Sequence, residues 1–198
     1  MRGTTAKIQP AEGTPQLDAL LREVEALRRE VAILTTANAE LERVAVRDTL
    51  TPLFNRRYFM TQLDERLERL DRYGAHAAIL FLDIDGLKTV NDRYGHSAGD
   101  FLLVHAAMIL STHIRASDVA ARIGGDEFAL ILEEADEPTA RAKAEQLAQM
   151  LADSDCDYDG ATLPVRASIG LTVLQPGDRA EDVLSRADAD MYTAKRGR

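Results

Sequence analysis

Acidic side chains gather in two short runs of the chain. Phe81-Leu-Asp-Ile-Asp-Gly-Leu-Lys88 carries Asp83 and Asp85 where an apolar stretch ends, and Arg122-Ile-Gly-Gly-Asp-Glu-Phe128 carries Asp126 and Glu127 behind a glycine pair. On a strand, alternation sends Asp83 and Asp85 to one face and Ile84 to the other. Two carboxylates that close repel each other unless a cation or a proton intervenes. Hard oxygen ligands beside a phosphate substrate point to magnesium. Carboxylates from two neighbouring strands can hold metal ions ~3.5–4 Å apart for in-line displacement at phosphorus. Gly124 and Gly125 remove side chains, so a bulky ligand can approach the backbone. Each run alone also admits a plain reading: an acid-capped strand end for the first, a good turn for the second.

The elements that would present these groups follow from periodicity. Residues 56–73 place Phe59, Leu63, Leu67 and Leu70 on one helical face. Residues 77–84 form a short apolar run with polar flanks, a central strand. A helix is predicted over 99–114, and strands over 119–123 and 128–132 joined across Gly124-Gly125 as a hairpin. Residues 138–151 read as a helix with Pro138 in its first turn. A strand over 163–174, straight or bent at Gly170, and a helix over 180–195 complete the pattern. The fold class is α+β, a central, mostly antiparallel sheet flanked by helices.

Before this domain lies a different pattern. Residues 1–15, with Gly3, Pro10, Gly13 and Pro15, read as a tail; 16–47 form a long helix. Leu17, Val24, Val31, Asn38 and Ala45 recur every seven residues, and Leu20, Leu27, Leu34 and Leu41 form a second series offset by three. These are the a and d positions of a heptad. Val at a with Leu at d favours two parallel strands, and a seam Asn fixes register at some cost in stability. Packing of the stripe on the chain's own domain is the alternative. The domain proper is expected over 48–198.

Composition bounds the function. With 45% hydrophobic and 29% charged residues the chain is globular. A net charge of -9 argues against unspecific nucleic-acid binding, which needs a basic face. A nucleotide substrate stays open, because metal ions neutralise phosphates locally. The lone Cys156 excludes an internal disulfide framework and suits a reducing compartment. The most apolar run, 77–82, is far below the ~20 residues that span a bilayer, and 1–15 lack a signal-peptide core. A cytoplasmic protein without membrane or nucleic-acid partners is expected.

Taken in order, the motifs resemble one family. Gly124-Gly125-Asp126-Glu127-Phe128 is the signature for which the GGDEF family is named. With it stand Asp48-Thr-Leu-Thr-Pro-Leu-Phe-Asn-Arg-Arg57, Asp83-Ile-Asp85, Asn91-Asp-Arg-Tyr-Gly-His-Ser-Ala-Gly-Asp100, Ser168-Ile-Gly170 and Ala187-Asp-Ala-Asp-Met-Tyr-Thr-Ala-Lys195. The resemblance covers 48–198 and implies a palm-like nucleotidyl cyclase fold. The implied enzyme is a diguanylate cyclase, a nucleotidyltransferase that joins two GTP into cyclic di-GMP and releases two pyrophosphates.

Residue by residue, the resemblance implies Asp83, the carbonyl of Ile84 and Asp126 as ligands of two Mg2+ or Mn2+ ions. Asp126 or Glu127 would help deprotonate the 3′-hydroxyl, with Lys88 and the amides of Gly86 and Leu87 at phosphate. Asn91 and Asp100 match guanine readers; a carboxylate accepts from guanine N1 and N2, a donor pair adenine lacks. His96 matches a position near the nucleotide, and Lys195 a lysine that reaches the phosphates. Arg115-Ala-Ser-Asp118 matches a product-binding inhibitory site; its plain reading is a surface salt bridge worth ~0–1 kcal/mol. Because one domain binds one GTP, a homodimer is implied. A silent receptor for cyclic di-GMP, or a coiled-coil interaction protein that only binds GTP, are the rival readings. The chain departs from the family at Pro52, where Gly is usual, at Leu87, where Phe is common, and in a shortened Ala194–Arg198 end.

Overall fold

A computed structural model describes residues 14–196, apart from the side chains of 14–16, 18, 37–44 and 196. Residues 1–13 of the expected tail, the side chains of Asn38 and Leu41, and the shortened end at 197–198 lie outside the described residues. The chain divides into two units, Met1–Ala45 and Val46–Arg198.

The first unit carries helix α1 (Thr14–Val46). It opens two residues before the expected start because Pro15 suits a first turn, where its missing N–H would go unpaired anyway. Leu17, Leu20, Val24, Leu27, Val31 and Leu34 of the heptad series are 42–61% exposed.

The second unit runs β1 (Phe54–Asn55), α2 (Arg56–Tyr73), β2 (Ala77–Ile84), α3 (Leu87–Tyr94), α4 (His96–Thr112), β3 (Val119–Arg122), β4 (Glu127–Glu133), α5 (Glu137–Ala152), β5 (Cys156–Tyr158), β6 (Ala161–Leu163), β7 (Ala167–Val173) and α6 (Ala180–Arg196). The main sheet has the order β1-β3-β4-β2-β7 and is antiparallel except where β1 meets β3. The expected α+β class with a mostly antiparallel sheet holds.

Strand β2 is the centre, and its alternation builds both cores. Ala78, Leu80, Leu82 and Ile84 join Phe128, Leu130 and Leu132 under α4 and α5, with Leu102, Leu110 and Leu147 buried against them. Ala77, Ile79 and Phe81 face the other way, onto Phe59 and Leu63 of α2 and Val183, Ala187 and Met191 of α6. Helices thus cover both faces, which is why β2 reads as an unbroken apolar run. Helix α2 is sharply bounded: Asn55 accepts a hydrogen bond from Tyr58 N–H at the start, and Gly74 closes it in the left-handed conformation.

Three expectations need correction. The helix expected over 99–114 is α4, which opens earlier, at His96, and a further short helix, α3, precedes it across Gly95 with φ 87°. The strand expected over 163–174 is two, because Pro164 follows β6 and offers no N–H to a ladder. Strands β5 and β6 form a separate hairpin across Asp159-Gly160, both at positive φ (49° and 79°) as a type I′ turn requires. Gly170 does not bend β7. It pairs with Phe81, and its missing side chain lets α6 lie on the strand: a Cβ there would stand 2.2 Å from Ala187 O and Met191 N.

Candidate active site

The parity of β2 decides where the acids point. Residues 77, 79 and 81 face α6, so Asp83 does too. Across the sheet its register partners are Glu127 on β4 and Ser168 on β7. A polar row Glu127–Asp83–Ser168 therefore caps three strands, one step beyond the apolar row Ala129–Phe81–Gly170. The two acidic runs are adjacent in space, tied also by Ile84 N–H donating to Asp126 O at 3.0 Å.

This edge is rich in negative charge. Burial, then the charges of Asp126, Asp83 and Asp188, push the Glu127 carboxyl above the usual range, and Arg56 opposes them weakly. One cation already answers that field. Lys195, near the end of α6, places Nζ 2.6 Å from Asp83 Oδ1 and 3.7 Å from Asp85 Oδ1. The hydrogen bond to Asp83 raises the lysine's pKa, with Asp85 and Asp126 adding to it against desolvation. Asp85 also accepts from the buried Ser168 hydroxyl at 2.9 Å. The residue expected at phosphate thus sits on the carboxylates here.

A divalent cation fits the donor set. Among the described residues no three acidic, histidine or cysteine side chains already form a metal-holding group. The Asp83 carboxylate and the Ile84 carbonyl on β2, with the Asp126 carboxylate in the turn before β4, are hard oxygen donors, and the ammonium on Asp83 shows that this edge holds positive charge.

The signature turn is held from outside. Arg122 donates through Nε and Nη2 to Gly125 O, at 3.2 and 2.7 Å, and through Nη1 to Asp48 Oδ1 at 3.3 Å. Asp48 in turn accepts from Leu50 N, Thr51 N and Thr51 Oγ1. Burial pushes the Asp48 carboxyl up, but the Thr51 hydrogen bonds and the charge of Arg122 outweigh it and hold it below the usual range. Pro52 is accommodated: its carbonyl accepts from Arg47 Nη1 at 2.8 Å. Neither Gly124 nor Gly125 needs a left-handed backbone. Gly124 instead makes room for Glu127, whose Oε2 would lie 2.1 Å from an added Cβ, while Gly125 faces open space.

The other expected residues lie on α3, on α4 and in the turn before β3. Gly86 (φ 76°) caps α3, whose first turn holds Leu87 and Lys88. Leu87 packs against the core, and Lys88 is exposed. Asn91 sits in the last turns of α3, while His96 and Asp100, both exposed, lie in the first turns of α4. None of Lys88, His96 or Asp100 touches the carboxylates among the described residues. Arg115 and Asp118 lie apart, in the turn before β3. They are no side-chain salt bridge: Asp118 accepts from the main-chain N–H groups of Arg115 (2.9 Å) and Glu133 (3.0 Å), and the Arg115 side chain is exposed. Sequence reading assigned no role to Asp48, Arg122, Ser168 or Asp188; for Arg122 the available signal was its place two residues before the glycine pair.

The family described as diguanylate cyclase, GGDEF domain, matches residues 45–198. The bifunctional diguanylate cyclase/cyclic di-GMP phosphodiesterase MucR of Pseudomonas aeruginosa is 40% identical over 164 residues, 82% of this chain and 24% of that protein. The diguanylate cyclase TpbB of the same organism is 36% identical over 193 residues, 94% of this chain and 44% of that one. The chain thus spans less than half the length of these curated relatives. A crystal structure of the coiled coil and GGDEF domain of DgcB from Caulobacter crescentus, in complex with c-di-GMP, aligns with TM-score 0.83 and 29% identity, covering 91% of this chain and 95% of that one. With its signature in the turn between β3 and β4 and the start of β4, and the match running from residue 45 to 198, the chain belongs to the diguanylate cyclase GGDEF-domain family.

Proposed function

We propose that the chain is a working diguanylate cyclase, condensing two GTP into cyclic di-GMP as a homodimer. The observation that carries this reading is the facing of Asp83 and Glu127 on neighbouring strands, with a cation seated on Asp83. Asp83, Asp126 and the Ile84 carbonyl would hold two divalent ions, magnesium or manganese. Bound there, such ions neutralise the triphosphate and polarise the phosphorus under attack.

The chain's own groups do the rest. Asp126 or Glu127 takes the proton from the 3′-hydroxyl. The amides of Gly86 and Leu87, with Lys88, hold phosphate oxygens at the start of α3, and Lys195 leaves Asp83 for the phosphates. Asn91 and Asp100 read guanine, with His96 beside the nucleotide. Each 3′-oxygen bonds to the α-phosphorus of the other GTP as the bond to pyrophosphate breaks; this happens twice. Two domains must meet face to face, and the exposed heptad stripe of α1 supports a parallel coiled coil that raises their effective concentration. Cyclic di-GMP would return to Arg115, whose planar fork suits phosphate and the guanine edge, with Asp118 fixing the turn that carries it.

The test is incubation with GTP and magnesium, followed by chromatography. Cyclic di-GMP with two equivalents of pyrophosphate is expected. Nucleotide bound without product would overturn the catalytic reading in favour of a silent receptor.

A further inference from the structure

Lys195 rides on a helix whose body and last turn are held very differently. The body of α6 is locked to the edge strand β7. Asp190 accepts from Leu171 N–H at 2.8 Å, and the Arg186 fork donates to Thr172 Oγ1 at 3.1 Å and Val173 O at 3.2 Å. Bare backbone at Gly170 lets Ala187 and Met191 lie directly on the strand, and both are buried. Past Met191 that support ends, and residues 192–195 are all exposed. The lysine can therefore leave its place without the helix leaving the sheet.

What keeps the lysine there is charge. Its Nζ lies 2.6 Å from Asp83 Oδ1 and 3.7 Å from Asp85 Oδ1. The buried Ser168 hydroxyl donates to the same Asp85 oxygen. Glu127 pairs with Asp83 in the sheet register, and carboxylates that close repel unless a positive charge stands beside them. The ammonium is that charge. A divalent ion bonded to the same Asp83 oxygen, at ~2.1 Å, would stand at most about 4.7 Å from Nζ. Like charges that close, on an edge partly shielded from water, oppose each other. Each therefore weakens the hold of the other.

We propose that Lys195 is a built-in counter-ion that competes with the divalent cation for Asp83, so that metal loading releases the ammonium toward the triphosphate. The inference rests on the metal-ligand reading of Asp83 above and adds an order of events to it. The lysine becomes available to phosphate when the ion is seated, and before that it quiets the repulsion along the acidic edge.

The experiment measures binding of Mn2+ alone to the full chain, without nucleotide, by the paramagnetic resonance of the free ion. Wild type is compared with Lys195→Met, Lys195→Arg, Asp83→Asn, Arg56→Gln and the double variant Lys195→Met with Asp83→Asn. Lys195→Met should bind about three- to tenfold more tightly than wild type, the range for one unit charge about 5 Å away in a water-like dielectric after salt screening. Lys195→Arg keeps the charge and should stay within about twofold of wild type. Arg56→Gln removes an exposed charge that reaches Glu127 but, among the described residues, pairs with no carboxylate; it should shift affinity by less than about twofold. A second readout follows the lysine itself. Acylation of Lys195 in wild type, read by peptide mass spectrometry, should speed up as Mn2+ is added and level off with the binding curve. That arm needs no variant, so it decides even where Lys195→Met fails to fold.

Unchanged acylation at saturating Mn2+, or no tightening in Lys195→Met, overturns the inference. Equal tightening in Arg56→Gln does so too, for Lys195 would then be one charge in a general field. If Asp83→Asn weakens binding while Lys195→Met leaves it unchanged, the lysine inference falls alone and the metal reading stands. If Lys195→Met and the double variant bind Mn2+ equally well, Asp83 is no metal ligand and both fall together.

Discussion

Replacing Arg122 with alanine removes the clamp between the Asp48 turn and the signature turn. Two donors to Gly125 O and one to Asp48 Oδ1 are lost, and both charged side chains are only 16% exposed. Hydrogen bonds from a charged donor contribute about 1.5–3 kcal/mol. Asp48 keeps three donors, from Leu50 and Thr51, so the full penalty of a stranded buried charge, about 3–5 kcal/mol, is not reached. The expected loss is about 2–4 kcal/mol, which a domain of ordinary stability survives. Loosening of the carbonyl next to Asp126 should cost turnover more, on the order of 100-fold for a displacement near 1 Å. Urea unfolding gives the first number, and pyrophosphate release at saturating GTP the second. Arg122→Lys should recover only part of each, since an ammonium cannot reproduce the fork. A stability change below about 0.5 kcal/mol with normal turnover would show that the clamp positions nothing.

Further predictions rest on other contacts. The Arg186 fork, helped by Gln175 N–H, holds Asp178 below the usual carboxylate range against desolvation, and Asp48 is lowered as well. A lowered folded pKa means stability fully present above the unfolded value near pH 4 and lost as pH falls through the folded one; unfolding free energy should decline below about pH 4.5, less steeply in Asp178→Asn, and an unchanged slope refutes the assignment. Arg115→Ala should relieve product inhibition without moving the melting temperature, because among the described residues its exposed side chain makes no hydrogen bond or ion pair; Asp118→Ala should cost about 1–2 kcal/mol through two stranded main-chain donors, and equal melting temperatures for the two variants would contradict this. Leu27→Asp with Leu34→Asp should yield monomers by light scattering and lower turnover in dilute solution; a fully active dimer assigns α1 another purpose.

How much of this was readable in advance varies with the physics of each element. Strand β2 and helix α2 have clean periods and chemical boundaries, the Asn55 cap and Gly74 among them, so residues 56–73 and 77–84 were legible to the residue. Helix α3 was not, because its eight residues bury only Val90 and a one-residue stripe has no period. The β5–β6 hairpin was not foreseen: the turn residues Asp159-Gly160 went unread, and its three-residue strands are too short to alternate visibly. At the site, Asp83 facing the signature followed from strand parity and a short turn. The Lys195–Asp83 bond joins groups 112 residues apart, and the Asp48–Arg122 pair joins groups 74 apart. Such contacts exist only once the sheet order is set, and leave no local trace.

The most direct trial of the whole account is a magnesium titration of GTP turnover in wild type, Asp83→Asn and Asp126→Asn, each first shown to unfold at the same urea concentration. Saturable, magnesium-dependent formation of cyclic di-GMP by wild type, and at least a 100-fold loss (about 2.7 kcal/mol of barrier) in both variants, is the predicted result. Variants that keep wild-type turnover and magnesium dependence would contradict it, for then the facing carboxylates would not be where the chemistry happens.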